Sequence, residues 1–401
     1  MLVWGAGDAV VRWRVPSVLP ALAAGAILAT CLVLTRVQVG YWHDGVTLFE
    51  HALAVTRDNH IAHVNLGAEL ARRGRADEAI GHYREALRIT PNFAEARAYL
   101  AAVLVEQGGL GEAVEQYAAV LTLRPDDAAA HNGLGAAFWK AGHVDEAMAH
   151  YTEALRLDPA YAEAHNNLGL ALYARGRGPE AIAHYQEALG LRPEYVEARY
   201  NLANALAQGG RLEEAIATYR EVLRAKPDLA EARSNLGVTL AQAGRLDEAI
   251  GEYEQALRIR PEYVDPSINL GAALRRKGHL EKAVQRYGEA LRLNPAHADA
   301  RYGLANTLVE QGKLAEAIAE YGEALRARPD FADAHNNLGL ALVAQGRVEE
   351  AVVHYSEALR INPAFAQAYY NRGAAERRLG ATATAEADLA RARELDPRAP
   401  R

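Results

Sequence analysis

The sequence predicts an all-α chain: ten helix–turn–helix repeats of 34 residues stacked as a solenoid, preceded by one apolar helix. Three observations predict it. Prolines fall at 91, 125, 159, 193, 227, 261, 295, 329, 363 and 397, each 34 residues after the last. Glycines keep the same interval at Gly74, Gly108, Gly142, Gly176, Gly210, Gly244, Gly278, Gly312, Gly346 and Gly380. The chain is 50% hydrophobic but only 7% aromatic, with alanine and leucine supplying most of the apolar content. That balance suits helices packed closely through small side chains.

A fixed period of this length marks a repeat architecture. Taking each proline as the thirty-second residue of a unit gives 60–93, 94–127, 128–161, 162–195, 196–229, 230–263, 264–297, 298–331, 332–365 and 366–399. The glycine is then the fifteenth residue of every unit, and the twentieth is alanine from Ala79 to Ala385. The twenty-fourth is tyrosine from Tyr83 to Tyr355 and Leu389 in the last unit; the seventh is leucine from Leu66 to Leu338 and Arg372 in the last. In 332–365, Ala334, Leu338, Ala341 and Leu342 follow helical spacing and form the apolar face of a first helix. Gly346 supplies the left-handed turn that ends it. Ala351, Tyr355 and Ala358 mark a second helix, which Pro363 stops because it lacks an N–H. Gly339 and Ala351 let the two backbones approach, and the tyrosine ring fills the gap. Pro179 and Pro266 are expected in first helical turns, where a missing N–H costs little.

The last unit breaks the pattern at Arg372, Glu376, Leu389 and Arg391, as a terminal cap with a polar outer face would. Ahead of the repeats, the phase reaches back to Phe49 and Ala52, so 36–59 is expected to hold a juxtamembrane segment with a half-repeat capping helix over 43–57. Residues 15–35 carry no charge and are expected to span a bilayer as a single transmembrane helix, after an N-terminal flank of 1–14. Trp13 and, at the far end, Tyr41 and Trp42 suit the membrane interface, and Arg12 and Arg14 place the repeats on the extracytoplasmic side. The apolar run continues through Leu32, Val33 and Leu34, unlike a cleaved signal peptide, and Thr30 is a poor residue before Cys31 for lipidation.

Leu-Gly with a bulky residue in the first helix, then Ala, Tyr and Ala in the second, then proline, resembles the tetratricopeptide repeat (TPR) family. The resemblance covers 60–399 and implies a right-handed superhelical solenoid whose first helices line a concave surface. The sixth residue of each unit reads Asn65, Tyr99, Gly133, Asn167, Asn201, Asn235, Asn269, Gly303, Asn337 and Asn371. Asparagine is a mediocre helix former, so seven of ten ask for a reason. A side-chain amide offers the donors and acceptor that complement a peptide unit. The strings HNNLG (165–169 and 335–339) and YNLA (200–203) are similar to the TPR arm of O-GlcNAc transferase, where an asparagine ladder implies contact with peptide backbone. The expected partner is therefore a protein or extended peptide, held by Asn65, Asn167, Asn201, Asn235, Asn269, Asn337 and Asn371. The competing expectation for the same row is that it bonds to the neighbouring repeat.

The expected role is a membrane-anchored, non-enzymatic binding scaffold with no cofactor. An alternative rests on 38–67, which is similar to the junction between membrane domain and TPR array in O-mannosyltransferase-like proteins. On that reading the chain is the substrate-recruiting part of a longer or mis-started glycosyltransferase. Net charge is -7 with the signs interleaved, which argues against a nucleic-acid partner. The single cysteine permits no intramolecular disulfide. Histidines recur at the fourth residue (His63, His131, His165, His335) and the twenty-third (His82, His150, His184, His354), but no HExxH spacing occurs and no metal is expected. Acids at the second residue, such as Glu95, Glu163 and Glu231, are expected to complement helix dipoles. Trp139 and Tyr173 share the twelfth column and could form an aromatic spot.

Overall fold

The computed structural model describes residues 18–396 and 398. Among the described residues there are 22 helices and no strand. First helices of the repeats begin at His60, Ala94, Ala128, Ala162, Val196, Ala230, Val264, Ala298, Ala332 and Ala366. Second helices begin at Ala76, Leu110, Val144, Gly178, Leu212, Leu246, Leu280, Leu314, Val348 and Thr382.

The punctuation follows from local chemistry. All ten fifteenth-column glycines have φ between 74° and 83°, the left-handed region that a Cβ makes costly. At Gly346, the first helix closes with Arg347 N–H donating to the Leu342 carbonyl at 2.9 Å and Gly346 N–H to Val343 at 3.0 Å. These two hydrogen bonds satisfy carbonyls that the helix end leaves open. Pro179 stands in the first turn of Gly178–Leu191, and Pro266 in the first turn of Val264–Arg276.

The packing divides the chain into two compact units, one ending at Pro193 and the other beginning at Glu194. In the first, Val46, Leu66, Leu70, Tyr83 and Leu100 belong to one core, against which Phe49 and Leu53 of helix Gly45–Val55 also pack. Asp44 caps that helix, accepting from Thr47 N–H at 3.0 Å. In the second unit, Leu308, Tyr321, Leu338, Leu342 and Tyr355 form a core of the same design. The twentieth-column alanine is 0% exposed in every repeat, so any larger side chain there meets packed atoms. A Cβ added at Gly339 would stand 2.5 Å from the Tyr355 ring, which is why the tyrosine needs a glycine opposite.

Two expectations are corrected. The stretch 15–35 lies on helix Val18–Tyr41, but no helix among the described residues is long and apolar enough to cross a membrane. The charge-free part of that helix, from Val18 to Thr35, rises roughly 27 Å, against the ~30 Å of a hydrocarbon core, and Arg36 follows directly. The single-pass assignment is withdrawn, and with it membrane contact through 15–35 and the extracytoplasmic placement of the repeats. The flank 1–14, residues 15–17 and Pro397 lie outside the described residues. The second correction concerns the last repeat. Arg372 does not belong to a polar outer face: its guanidinium donates to both carboxylate oxygens of the buried Asp388, at 2.6 and 2.8 Å. The ion pair replaces the leucine that fills this column elsewhere.

Candidate polypeptide-binding face

The first helices position the sixth-column asparagines, and the environment of each is set by the repeat before it. In the first unit, Asn65 is half-buried and its amide makes no hydrogen bond among the described residues. Asn167 donates to Asn132 Oδ1 in the preceding repeat at 3.0 Å. In the second unit, Asn235 donates to the Tyr200 hydroxyl at 2.9 Å and to Asn204 Oδ1 at 3.0 Å. Asn337 repeats this with Tyr302 at 3.0 Å and Asn306 at 3.1 Å. Asn371 is buried and donates to Asn336 Oδ1 at 2.8 Å, while accepting from Gln367 at 2.9 Å. Asn201 is engaged as well. Asn269 is half-buried and, like Asn65, makes no side-chain hydrogen bond among the described residues.

The breaks in the row have physical causes. At Gly303 an added Cβ would come within 2.5 Å of the Tyr287 ring, and at Gly133 a Cβ would clash likewise with Tyr117. The tyrosine of the preceding repeat takes the space an asparagine would need. Tyr99 instead lays its ring over Tyr83, centroids 5.9 Å apart, and remains exposed. Burial, with Tyr99 adding to it, pushes the Tyr83 phenol up to about 12, so it stays neutral.

Residue spacing along single columns misses the partners in adjacent columns. Tyr200 with Asn204 and Tyr302 with Asn306 complete two matching polar clusters, each closed by a further tyrosine. Tyr219 donates to Asn204 at 2.5 Å and Tyr321 to Asn306 at 2.6 Å. The signal is present in the sequence as Arg-Tyr-X-Leu-Ala-Asn at 199–204 and again at 301–306. Beside the second cluster a groove of about 370 Å³ opens, lined by Tyr302, Asn306, Val309, Glu310, Asn337 and Leu340 among others. Its floor mixes aliphatic surface with amides, the surroundings a peptide segment needs.

The remaining columns resolve simply. Glu95, Glu163 and Glu231 stand in first helical turns and pair with Arg124, Arg192 and Arg260 at 2.7, 2.7 and 2.6 Å. Each therefore helps bind the end of its repeat's second helix to the start of its first. Trp139 and Tyr173 are both half-buried but make no ring contact with each other among the described residues. No group of three or more His, Cys, Asp or Glu among the described residues is placed to hold a metal ion.

Fold and face together define a helix-pair repeat scaffold suited to binding protein or peptide. The family "Tetratricopeptide repeat" matches residues 100–162, 137–195, 166–230, 200–264, 268–323 and 302–364, and "TPR repeat" matches 67–108. The chain belongs to the tetratricopeptide repeat family. Among solved structures it is similar to YrrB, a TPR protein with an unusual peptide-binding site, at 24% identity and a TM-score of 0.42 over 47% of this chain and 96% of that one. It is also similar to MamA, at 25% identity and a TM-score of 0.38 over 40% of this chain and 95% of that one. No protein with a curated description matches.

Proposed function

We propose that the first-helix faces hold an extended polypeptide through its backbone, with the sixth-column asparagines as contacts and no catalytic step in this chain. The observation that carries this reading is the pair Asn65 and Asn269: half-buried amides in helices, without a partner among the described residues. An amide that solvent still reaches and no protein group engages is open to a ligand, and an incoming peptide unit offers it both a donor and an acceptor. Asn167, Asn235, Asn337 and Asn371 have a second role, because their amides tie adjacent repeats together. In that role they keep the neighbouring groove walls in register.

These two roles separate experimentally. An unstructured peptide library panned on the full chain supplies a probe, whose affinity is then measured by fluorescence polarisation. Asn269→Ala is expected to weaken that peptide by a factor of roughly 2–13, the equivalent of one net hydrogen bond, with the melting temperature unchanged or slightly raised. Asn235→Ala is expected to lower stability by about 1–3 kcal/mol, because Tyr200 and Asn204 lose a donor in a half-buried site. Unchanged peptide affinity in both Asn65→Ala and Asn269→Ala would remove the backbone-contact reading.

A further inference from the structure

We propose that four histidine pairs form acid-labile clasps between the two helices of their repeats, each pair keeping its hydrogen bond on the first proton and opening on the second. The fourth and twenty-third columns, distant in sequence, meet in space. His63 and His82 place Nδ1 against Nδ1 at 3.0 Å, His131 and His150 at 3.1 Å, His165 and His184 at 3.0 Å, and His335 and His354 at 3.1 Å. In three of the four, the other nitrogen of the fourth-column ring points at a proline carbonyl. His131 Nε2 lies 3.3 Å from Pro125 O, His165 Nε2 3.1 Å from Pro159 O, and His335 Nε2 3.1 Å from Pro329 O.

Three other repeats fill the same two columns with an arginine and a carboxylate or amide. Arg97 donates to Gln116 at 2.6 Å, Arg233 to Glu252 at 2.9 Å and Arg301 to Glu320 at 2.6 Å. Each of these arginines also donates to the carbonyl of Pro91, Pro227 or Pro295. The histidine pair is thus a substitute for an arginine clasp that joins the first helix, the second helix and the preceding turn. Unlike a guanidinium, an imidazole can exist neutral or charged within the range that a cell's compartments cover.

Donor and acceptor bookkeeping fixes the protonation. A carbonyl only accepts, so in the pairs of His131, His165 and His335 the fourth-column ring carries its hydrogen on Nε2 and, when neutral, leaves Nδ1 bare. The twenty-third-column ring then donates Nδ1–H to that bare nitrogen and keeps its own Nε2 free. The neutral pair satisfies every bond. A first proton goes to the free Nε2 and leaves the clasp intact. A second must go to the fourth-column Nδ1, where it meets another N–H across about 3 Å between two cationic rings.

Surrounding charge does not rescue the doubly protonated pair. His63 faces His82, Glu85 and Arg88, and His82 faces Glu78, Glu50 and Arg75. His150 faces His131 and Glu153, and His184 faces His165, Glu180 and Glu187. His335 faces Glu357 and Arg360, and His354 faces His335, Glu350, Glu357 and Arg347. Most of these carboxylates are held by their own arginines: Glu78 by Arg75, Glu85 by Arg88, Glu153 by Arg156, Glu180 by Arg177, Glu350 by Arg347 and Glu357 by Arg360. Burial is the first cause holding His63, His82, His150, His184, His335 and His354 below the ordinary histidine value. The unfolded chain therefore binds more protons below the ordinary 6.5, and stability is lost as pH falls through that value and beyond.

Three pairs lie in the unit ending at Pro193 and one in the unit beginning at Glu194, so acid should loosen particular repeats and not the whole chain. Amide exchange on the full chain at pH 7.5 and 5.0, corrected for intrinsic rates, reads this directly. Protection in Ala128–Lys140, Val144–Leu157, Ala162–Ala174 and Gly178–Leu191 is expected to fall about tenfold or more. Helices Ala230–Gln242, Leu246–Ile259, Ala298–Glu310 and Leu314–Ala327, with Arg–Glu clasps, should fall less than about threefold and serve as the internal control. Transplanting the arginine clasp, as His131→Arg with His150→Glu and His165→Arg with His184→Glu, should abolish the difference. Equal loss in the histidine and arginine repeats of the natural chain would overturn the proposal even if the transplant failed to fold. So would acid sensitivity that persisted in a folded transplant.

Discussion

Arg372→Ala is expected to cost the last repeat about 3–5 kcal/mol, the loss seen when one partner of a buried ion pair is removed. Asp388 stays behind with its carboxylate buried and its two bonds from the guanidinium gone. Ser356 loses a third contact, from Arg372 at 3.1 Å, so the damage reaches the repeat before. Because each repeat leans mainly on its neighbours, the effect should be local. Amide exchange in Ala366–Arg378 and Thr382–Leu395 should rise steeply, while helices before Val264 keep their protection. The double change Arg372→Leu with Asp388→Leu removes both charges and restores the leucine of the other repeats. It should return most of the stability, since an apolar pair of similar volume commonly matches a buried salt bridge. If Arg372→Ala left the last two helices as protected as before, the pair would be a bystander.

The repeat was legible because its spacing constraints are periodic and strict. A glycine at φ near 80° and an alanine with 0% exposure admit almost no substitution, so both recur in all ten repeats and announce the fold in one dimension. The pairing of columns was not legible, because it depends on which faces of two helices meet. His165 and His184 are 19 residues apart and stand in two separate recurring columns until the helix hairpin closes. Asn235 carries two expectations in sequence, peptide contact or a bond to the neighbouring repeat, and only the fold shows that it spends its donors on Tyr200 and Asn204, 35 and 31 residues earlier. Arg372 looks like a solvent-facing departure from pattern because a single sequence position does not show the Asp388 that compensates it. The apolar run at 15–35 misled for a different reason: absence of charge over a stretch is easy to read, but helix Val18–Tyr41 carries Arg36 within it, and its charge-free part falls short of a bilayer's thickness.

Tyr355→Ala tests the packing rule behind the whole array. The ring is 1% exposed and fills the space left open by Gly339 on the facing helix. Truncating it removes a large apolar contact and leaves a cavity that two rigid helices cannot close, at an expected cost of about 3–5 kcal/mol. Tyr355→Phe keeps the ring and should change stability by less than about 1 kcal/mol. Tyr321→Phe is a sharper comparison: its hydroxyl donates to Asn306 at 2.6 Å, so that deletion should cost about 1 kcal/mol or more. Gly339→Leu alone should also destabilise, by about 1–3 kcal/mol, since its Cβ meets the tyrosine ring. Combined with Tyr355→Ala, however, the leucine grows into the vacated space, and the double variant should be more stable than Tyr355→Ala alone. Exchange protection in Ala332–Ala344 and Val348–Ile361 gives the order of the four variants at Tyr355 and Gly339, and that in Leu314–Ala327 reads Tyr321→Phe. Strict additivity of the two losses would mean that glycine and tyrosine do not share one space, and that the period of 34 is held by the turns alone.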